Sequence, residues 1–600
     1  MLLCSLTLKG GRELLGSIMA KSSKRSTSQA ATSDLLQKIL KLSRSGKFTA
    51  YIRDLLVELC RVDTTPSPVV ERMRRAEDRC FKVLERELGS MGFNGLQLER
   101  RAINPKISKH ANYSLLHFTK TIRRPEGLSP EETYANRSNL VCLIPGEQKH
   151  PRGVSTAVNA HIDVVAPYLL PSVKGGTVFG RGSCDDKGPL VGIVAALKLL
   201  SRVLPMARLS FNKNVVGMFV IEEETGGNGS LSLAIDRNLR KLYDSIVVCE
   251  CTGLKLHPAN RGAVWYRTLL TPPARVCPIE LFAFVNEEIE KEGRAIRAES
   301  YHSLFPQRPV QTCHGIIGPF GEHPSRICGR VEFHVGFPRG AAARAEQLVS
   351  DCLAAGLEGY LGLYGDKSRI MEAATGKPMV PVHYELRRKG DVFLVTVHGA
   401  TGHMGAIRER DGAITKMAHL VRSLVFSRKR IETEANGVFR FSLPKHAAKT
   451  LVLEGGQGFV PTHSINEVMD RLRTAAERGA EVCLRRLGRL QAGRDVVSMT
   501  YEKLHNVAFD GNPNSVSMRH ALRAAAACGL PEQQPVLGWT VSCDSRLFAT
   551  EYPGMEVLTF GPGQLAFAHS DTEQIELEEI RKAAEFLSYY LLLQTGTVPR

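Results

Sequence analysis

No run of 18 or more apolar residues occurs in this 600-residue chain, so no stretch reads as a transmembrane helix. No two cysteines have Cys-x-x-Cys spacing, although the chain holds 14 of them. A chain this long needs no disulfide framework, and the cysteines read as reduced thiols of a cytoplasmic protein. Cys184 has no evident partner His, which argues against a catalytic thiol. Aromatic residues make up only 6% of the chain, with two Trp. No aromatic platform alternates with the basic residues, as binding to single-stranded nucleic acid requires. There is no internal repeat of solenoid type. The N-terminal apolar stretch is short and lacks a small-residue cleavage site, so no secretory signal is read there. Met19 is a candidate start, and residues 20–33, rich in Ser, Thr, Lys and Arg, read as disordered.

Lys and Arg number 79 against 61 Asp and Glu, a net charge of +18. The basic residues are dispersed, and solvated faces account for them; no nucleic-acid module and no membrane segment accompany them. The length allows two to four domains. Residues 1–47 are read as a flexible basic segment carrying one helical stretch at 34–42. Helices are expected near 48–61 and 70–91, and strands near 113–118 and 138–144.

The chemistry concentrates at the ends of apolar runs. Val154 to Ala160 reads as a buried strand that ends in His161-Ile162-Asp163. An imidazole with a nearby carboxylate suits a metal ligand and the group that orients it. The Gly-rich turn Gly180-Arg181-Gly182-Ser183-Cys184-Asp185-Asp186-Lys187-Gly188 presents two adjacent carboxylates and opens into an amphipathic helix. A second run, Asn214 to Ile221, ends in Glu222-Glu223-Glu224, and a third, Ser245 to Cys249, ends in Glu250. Acids at the ends of buried strands are costly unless paired or metal-bound. Near the C-terminus, the strand Met555–Phe560 is followed by Gly561-Pro562-Gly563 and His569, repeating the first arrangement.

Between them, residues 263–500 carry strand and helix patterns, with helices expected near 341–360, 412–426 and 465–488. They hold no further cluster of acids. The fold class expected is α/β, a catalytic domain (48–262 and 501–600) whose mixed, largely parallel sheet is covered by helices, with an inserted α+β domain at 263–500.

His161, Asp185, Glu224, Glu250 and His569 form a candidate ligand set. Two His and three carboxylates fit two zinc ions, one carboxylate bridging, with cobalt or manganese as alternatives. Two metals ~3.5–4 Å apart polarise a carbonyl and activate water, and a spare carboxylate is then needed as general base.

Together, His161-Ile-Asp163, GRGSCDDKG, EEETGGNGS, Glu250 and GPG with His569 resemble the dinuclear zinc peptidase and deacylase family. It includes acetylornithine deacetylase, succinyl-diaminopimelate desuccinylase, glutamate carboxypeptidase and the carnosinase-type dipeptidases. The resemblance implies that Asp185 bridges the metals, that Asp163 orients His161, that Glu223 is the general base, and that the Asp185–Asp186 peptide is cis. It implies that the insert is a lid or dimerisation domain, about twice the usual size here, through which the chain could form a homodimer. It also implies that His403, in Val397-His398-Gly399-Ala400-Thr401-Gly402-His403, reaches a substrate oxyanion. The expected activity is hydrolysis of an amide bond in a small N-acyl amino acid or a dipeptide. A non-catalytic descendant is the competing reading, disfavoured because all five ligand positions are filled.

Overall fold

The computed structural model describes residues 33–600 apart from 122, 148–152, 325, 373–374, 403–410, 447–448 and 502–504. The expectations for residues 1–32 and for His403 lie outside the described residues. Six strands form the central sheet: β1 (Gln97–Ala102), β2 (Ser138–Ile144), β3 (Thr156–His161), β4 (Val215–Val220), β5 (Ser245–Val248) and β6 (Glu556–Thr559). Their spatial order is β1-β2-β4-β3-β5-β6. β4, β3, β5 and β6 run parallel, while β1 pairs with β2 and β2 with β4 antiparallel, giving a mixed, largely parallel sheet.

Side-chain alternation sends β-branched and apolar residues to both faces. Val216, Met218, Ile246 and Val248 join one core cluster, and Val158, Phe219, Val247 and Leu558 join another. Parallel strands buried on both faces carry such continuous apolar runs. On one face the helix Lys187–Met206 packs against Leu577–Thr595 and Gly46–Cys60. Lys187–Met206 is long and apolar enough to cross a membrane by composition, but its residues from Leu190 to Leu197 are all buried in the core. Residues 33–43 also form a helix, with Leu35, Leu36 and Ile39 in the same core, so this part of the expected flexible segment packs on the central domain, while 44–47 are exposed. The thirteen described cysteines are all free, twelve of them buried.

One expected strand is absent. Residues 113–118 run as a loop into a short 3-10 turn, His117–Thr119. The Ser114 N–H donates to Asn228 Oδ1 (2.9 Å), and Ser114 Oγ donates to the Gly226 carbonyl (3.0 Å). Side-chain and turn contacts satisfy this backbone where a strand would need a ladder.

The insert holds two sheets around one core. An outer sheet combines Gly262–Leu270, Thr312–Ile317, Leu451–Phe459 and Val497–Thr500, with His505–Asn506 added at Gly262–Leu270. Helices Pro278–Glu299 and Ile465–Arg486 connect its strands and pack together. An inner sheet combines Arg330–Gly336, Tyr384–Lys389, Val392–His398 and Arg440–Ser442, with helices Ala342–Tyr364 and Ala413–Phe426. In both, the chain runs β-α-β-β-α-β, and the spatial strand order is second, third, first, fourth. The inner unit lies within the connection between the second and third strands of the outer one. Two copies of one topology, nested, account for the size of the insert. Pro278–Glu299 packs against Ala413–Phe426 and so joins the units.

Beneath the catalytic sheet, Arg137 is fully buried at the start of β2. Its guanidinium donates to Glu77 on helix Val70–Gly89 (2.6 and 3.0 Å) and to Glu222 beyond β4. Removing one partner of a buried ion-pair network leaves a desolvated charge behind. Arg137→Ala is expected to destabilise the catalytic part by about 3–5 kcal/mol, read as a lowered midpoint of urea unfolding. An unchanged midpoint would show that this network does not hold the acidic turn.

Candidate active site

The carboxyl ends of β3, β4, β5 and β6 bring the candidate ligands together, where open α/β sheets place their chemistry. β3 ends at His161, and Glu250 follows β5 by two residues. Asp185 sits in the turn before helix Lys187–Met206, and His569 in the loop after β6. Metal-binding atoms of His161, Asp185, Asp186 and Glu250 lie within 4.8 Å of one another, as do those of Asp185, Glu224 and His569. Asp185 belongs to both groups. His161 Nε2 is 3.2 Å from Asp185 Oδ1, and His569 Nε2 is 3.3 Å from Asp185 Oδ2 and 2.9 Å from Glu224 Oε1. Each oxygen of one carboxylate thus faces a different imidazole, the arrangement a bridging ligand requires. The Asp185–Asp186 peptide is cis.

His161 Nδ1 lies 3.0 Å from the Asp163 carbonyl, which can only accept, so Nδ1 carries the proton and Nε2 is left as the donor atom to a metal. The Asp163 carboxylate is 3.5 Å from the same nitrogen, but its hydrogen bonds go elsewhere. Oδ1 accepts from the Glu223 N–H (3.1 Å) and Oδ2 from the Glu224 N–H (3.0 Å). Asp163 therefore fixes the acidic run as well as the histidine.

That run turns earlier than its sequence indicates. The turn-forming Thr225-Gly226-Gly227 is present, but β4 stops at Val220 and the backbone already enters the left-handed region at Glu222, φ 65°. The turn sends Glu222 inward to Arg137 and to Tyr134 Oη (2.9 Å). Glu223 is left facing the cluster, its Oε2 3.9 Å from His161 Nε2, and Glu224 faces His569. Gly227, φ 79°, completes the turn, and a Cβ there would lie 2.4 Å from Asp544 Oδ1. Glu223 keeps 15% of its side chain exposed against 11% for Asp185 and 6% for Glu224, so it is the most accessible of the three acids.

Two residues outside the expected set complete the support. Glu573 is fully buried with Arg181, and its Oε1 accepts from the N–H groups of Gly182 (2.9 Å), Cys184 (3.1 Å) and Asp185 (3.1 Å). It holds the Gly-rich turn that carries Asp185. Its one sequence signal is its place four residues after His569. Asp186 Oδ2 accepts from the His161 N–H (3.1 Å), tying the same turn to β3.

The electrostatics show what the cluster fits. Two imidazoles face five carboxylates in a buried volume. Burial pushes the Glu250 carboxyl well above the usual carboxylate range, and Asp186 and Asp185 add to the rise. Burial likewise raises Glu223, opposed by His161 and reinforced by Asp544 and Glu224. For His569 burial works against the charged form, but the Glu224 and Asp185 carboxylates win and raise it to about 10. Such a surplus of buried acid fits divalent cations, and the mixed N/O donors fit zinc, cobalt or manganese. Outer partners of metal ligands typically contribute 10- to 100-fold in affinity. Asp163→Ala is therefore expected to weaken metal binding by about 10- to 100-fold, measured by competition with a chelating dye. Wild-type affinity in this variant would remove the role given to Asp163.

With this geometry in place, comparisons with known proteins become informative. Over 176 residues the chain is 27% identical to a probable carboxypeptidase of Aspergillus terreus, covering 27% of this chain and 37% of the relative. It is 29% identical over 136 residues to a putative LysW-lysine/LysW-ornithine hydrolase of Pyrococcus horikoshii, covering 23% and 34%. The chain thus spans little more than a third of the length of these curated relatives. The fold is similar to that of the dipeptidase Dug1p of Saccharomyces cerevisiae, with TM-score 0.53 and 12% identity over 96% of this chain and 100% of that one. It is also similar to human carnosine dipeptidase 1, with TM-score 0.51 and 12% identity over 93% and 99%. The model of peptidase family M20/M25/M40 matches residues 157–593, well over half of the chain and inclusive of every candidate ligand position from His161 to His569, and the chain belongs to that family.

Proposed function

We propose that the chain is a metal-dependent hydrolase that cleaves the amide bond of a small N-acyl amino acid or a peptide, with Glu223 as general base. The observation that carries this reading is the pair of ligand groups sharing Asp185, with the Glu223 carboxylate beside them but outside both. His161, Asp185 and Glu250 would hold one zinc ion, and Asp185, Glu224 and His569 the second; cobalt or manganese fits the same donors. Two such ions, when bound, polarise a carbonyl and lower the pKa of water between them.

The chain's own residues supply the proton chemistry. Asp163 fixes the backbone at Glu223, and the Glu223 carboxylate lies 3.9 Å from His161 Nε2. From there Glu223 takes a proton from water at its Oε2 edge and returns it to the leaving amine nitrogen. Family membership supports a peptide-like amide as the bond attacked, and the relatives named carboxypeptidase make a dipeptidase or carboxypeptidase the nearest alternative to a deacylase. No observation favours a non-catalytic role.

Zinc- and cobalt-loaded protein is expected to hydrolyse members of a panel of N-acetyl amino acids and dipeptides. Glu223→Gln keeps shape and loses basicity, so kcat should fall at least ~10²-fold while metal content stays near two per chain, as general-base catalysis contributes about 10²–10⁴. Glu224→Gln should lose metal instead. Full activity in Glu223→Gln, or loss of its metal, would reject the assignment of base and ligand along this run.

A further inference from the structure

A cavity of about 230 Å³ opens beside the ligand Glu224. That is many times the ~10–15 Å³ one water needs. Several separate parts of the chain wall it, Pro66 among them. Leu115 and Phe118 come from the loop before β2, Val165 from the segment after β3, and Ile316 and Pro324 from the insert. The inner end is Glu224 and Thr225. Of the acids that line it, Glu224 faces His569, and Glu322 is ion-paired with Arg326. His117 and His323 add two imidazoles, and the rest of the wall, from Pro66, Leu115, Phe118, Val165, Ala166, Ile316 and Pro324, is apolar, so water against that part gains little.

We propose that this cavity is the specificity pocket for the reaction proposed above, and that it takes a bulky apolar side chain, of leucine or phenylalanine size, next to the scissile bond. The inference rests on that functional reading and adds the substrate class. Glu224 belongs both to the ligand group at Asp185 and to the cavity lining, so the cavity adjoins the place where a scissile carbonyl would be held. Burying such a side chain removes apolar surface from water on both partners, and a glycine cannot do this. The insert contributes Ile316 from its own outer sheet, so the pocket is complete only with insert and catalytic part together. A larger cleft of about 730 Å³ is the competing location for a side chain; its lining is mixed, with Lys255, Arg297 and Arg308 alongside Leu537, Trp539 and Leu565.

The test compares X-Gly and Gly-X dipeptides and N-acetyl-X substrates, with X glycine, leucine or phenylalanine, on the zinc-loaded full chain. In at least one series kcat/KM for leucine or phenylalanine should exceed that for glycine by ~10-fold or more. Leu115→Trp, at a side chain half exposed at the mouth, and the double variant Leu115→Trp/Ile316→Trp should lower that ratio ~10-fold or more. Calorimetry with free leucine and free glycine gives a readout independent of turnover: leucine should bind more tightly, and the variants should erase the difference. If no substrate is hydrolysed while leucine selectivity and its loss in the variants persist, the reaction assignment fails and the pocket stands. If the variants leave the leucine-to-glycine ratio and the binding selectivity unchanged, the pocket assignment is overturned and the larger cleft is where the side chain goes.

Discussion

The structure depends on burying acid. Five carboxylates and two imidazoles converge at the ends of four parallel strands, and desolvation alone would drive most of the carboxylates neutral. Much of the local architecture holds these groups in place against that tendency. Asp163 accepts two N–H groups of the acidic run, Glu573 three of the Gly-rich turn, and Asp186 one of β3. Two non-glycine residues of the site, Glu222 and His569, have left-handed backbone, φ 65° and 59°. Each such residue costs of order 1–3 kcal/mol and persists only where surrounding contacts over-determine it. Glu222 has those contacts in Arg137 and Tyr134, and His569 in Glu224.

This division of labour explains why the acidic run has three members. Consecutive residues on a regular strand would put Glu223 on the opposite face from both neighbours. The turn at Glu222 breaks the alternation, so one acid points to a structural cation, the next to the edge of the cluster beside His161 and the third to a histidine. Charge that looks redundant along the chain is assigned to three different tasks in space.

The parts of the site read from sequence are those where a local pattern changes abruptly. An apolar run that stops at His161, at Glu222 or before Glu250 marks both a strand and the edge at which it ends, and the registry of β3 with β4 then aligns those ends. Arg137 and Glu573 were not legible, because their meaning comes from partners 85 and 392 residues away. The helix Pro278–Glu299 escaped for another reason. Its first half, Ile279 to Val285, is buried throughout, packed between the two units of the insert, and a stretch covered on all sides has no amphipathic period to detect. The expected strand at 113–118 shows the converse error, an apolar pattern produced by a loop whose Tyr113 and Leu116 reach the core while the Ser114 backbone bonds to the Asn228 side chain and its hydroxyl to the Gly226 carbonyl.

The nested insert and the cavity beside Glu224 are connected through one strand. Thr312–Ile317 is the second strand of the outer unit, and the inner unit is spliced in after it. Its last turns therefore face two demands. Ile317 is buried in the insert's core, while Ile316, opposite by alternation and displaced at the irregularity between His314 and Ile316, is turned to the cavity. The segment that follows supplies Glu322 and Pro324 to the same wall, and Arg326 reaches Asp571, two residues beyond His569 (2.8 Å). A change in how the insert sits would thus be felt both at the cavity wall and at the loop that carries a candidate metal ligand. Enlarging the insert by nesting a second unit leaves this seam in the outer unit, whose strands lie nearest in sequence to the catalytic sheet, and so the added bulk need not disturb the site.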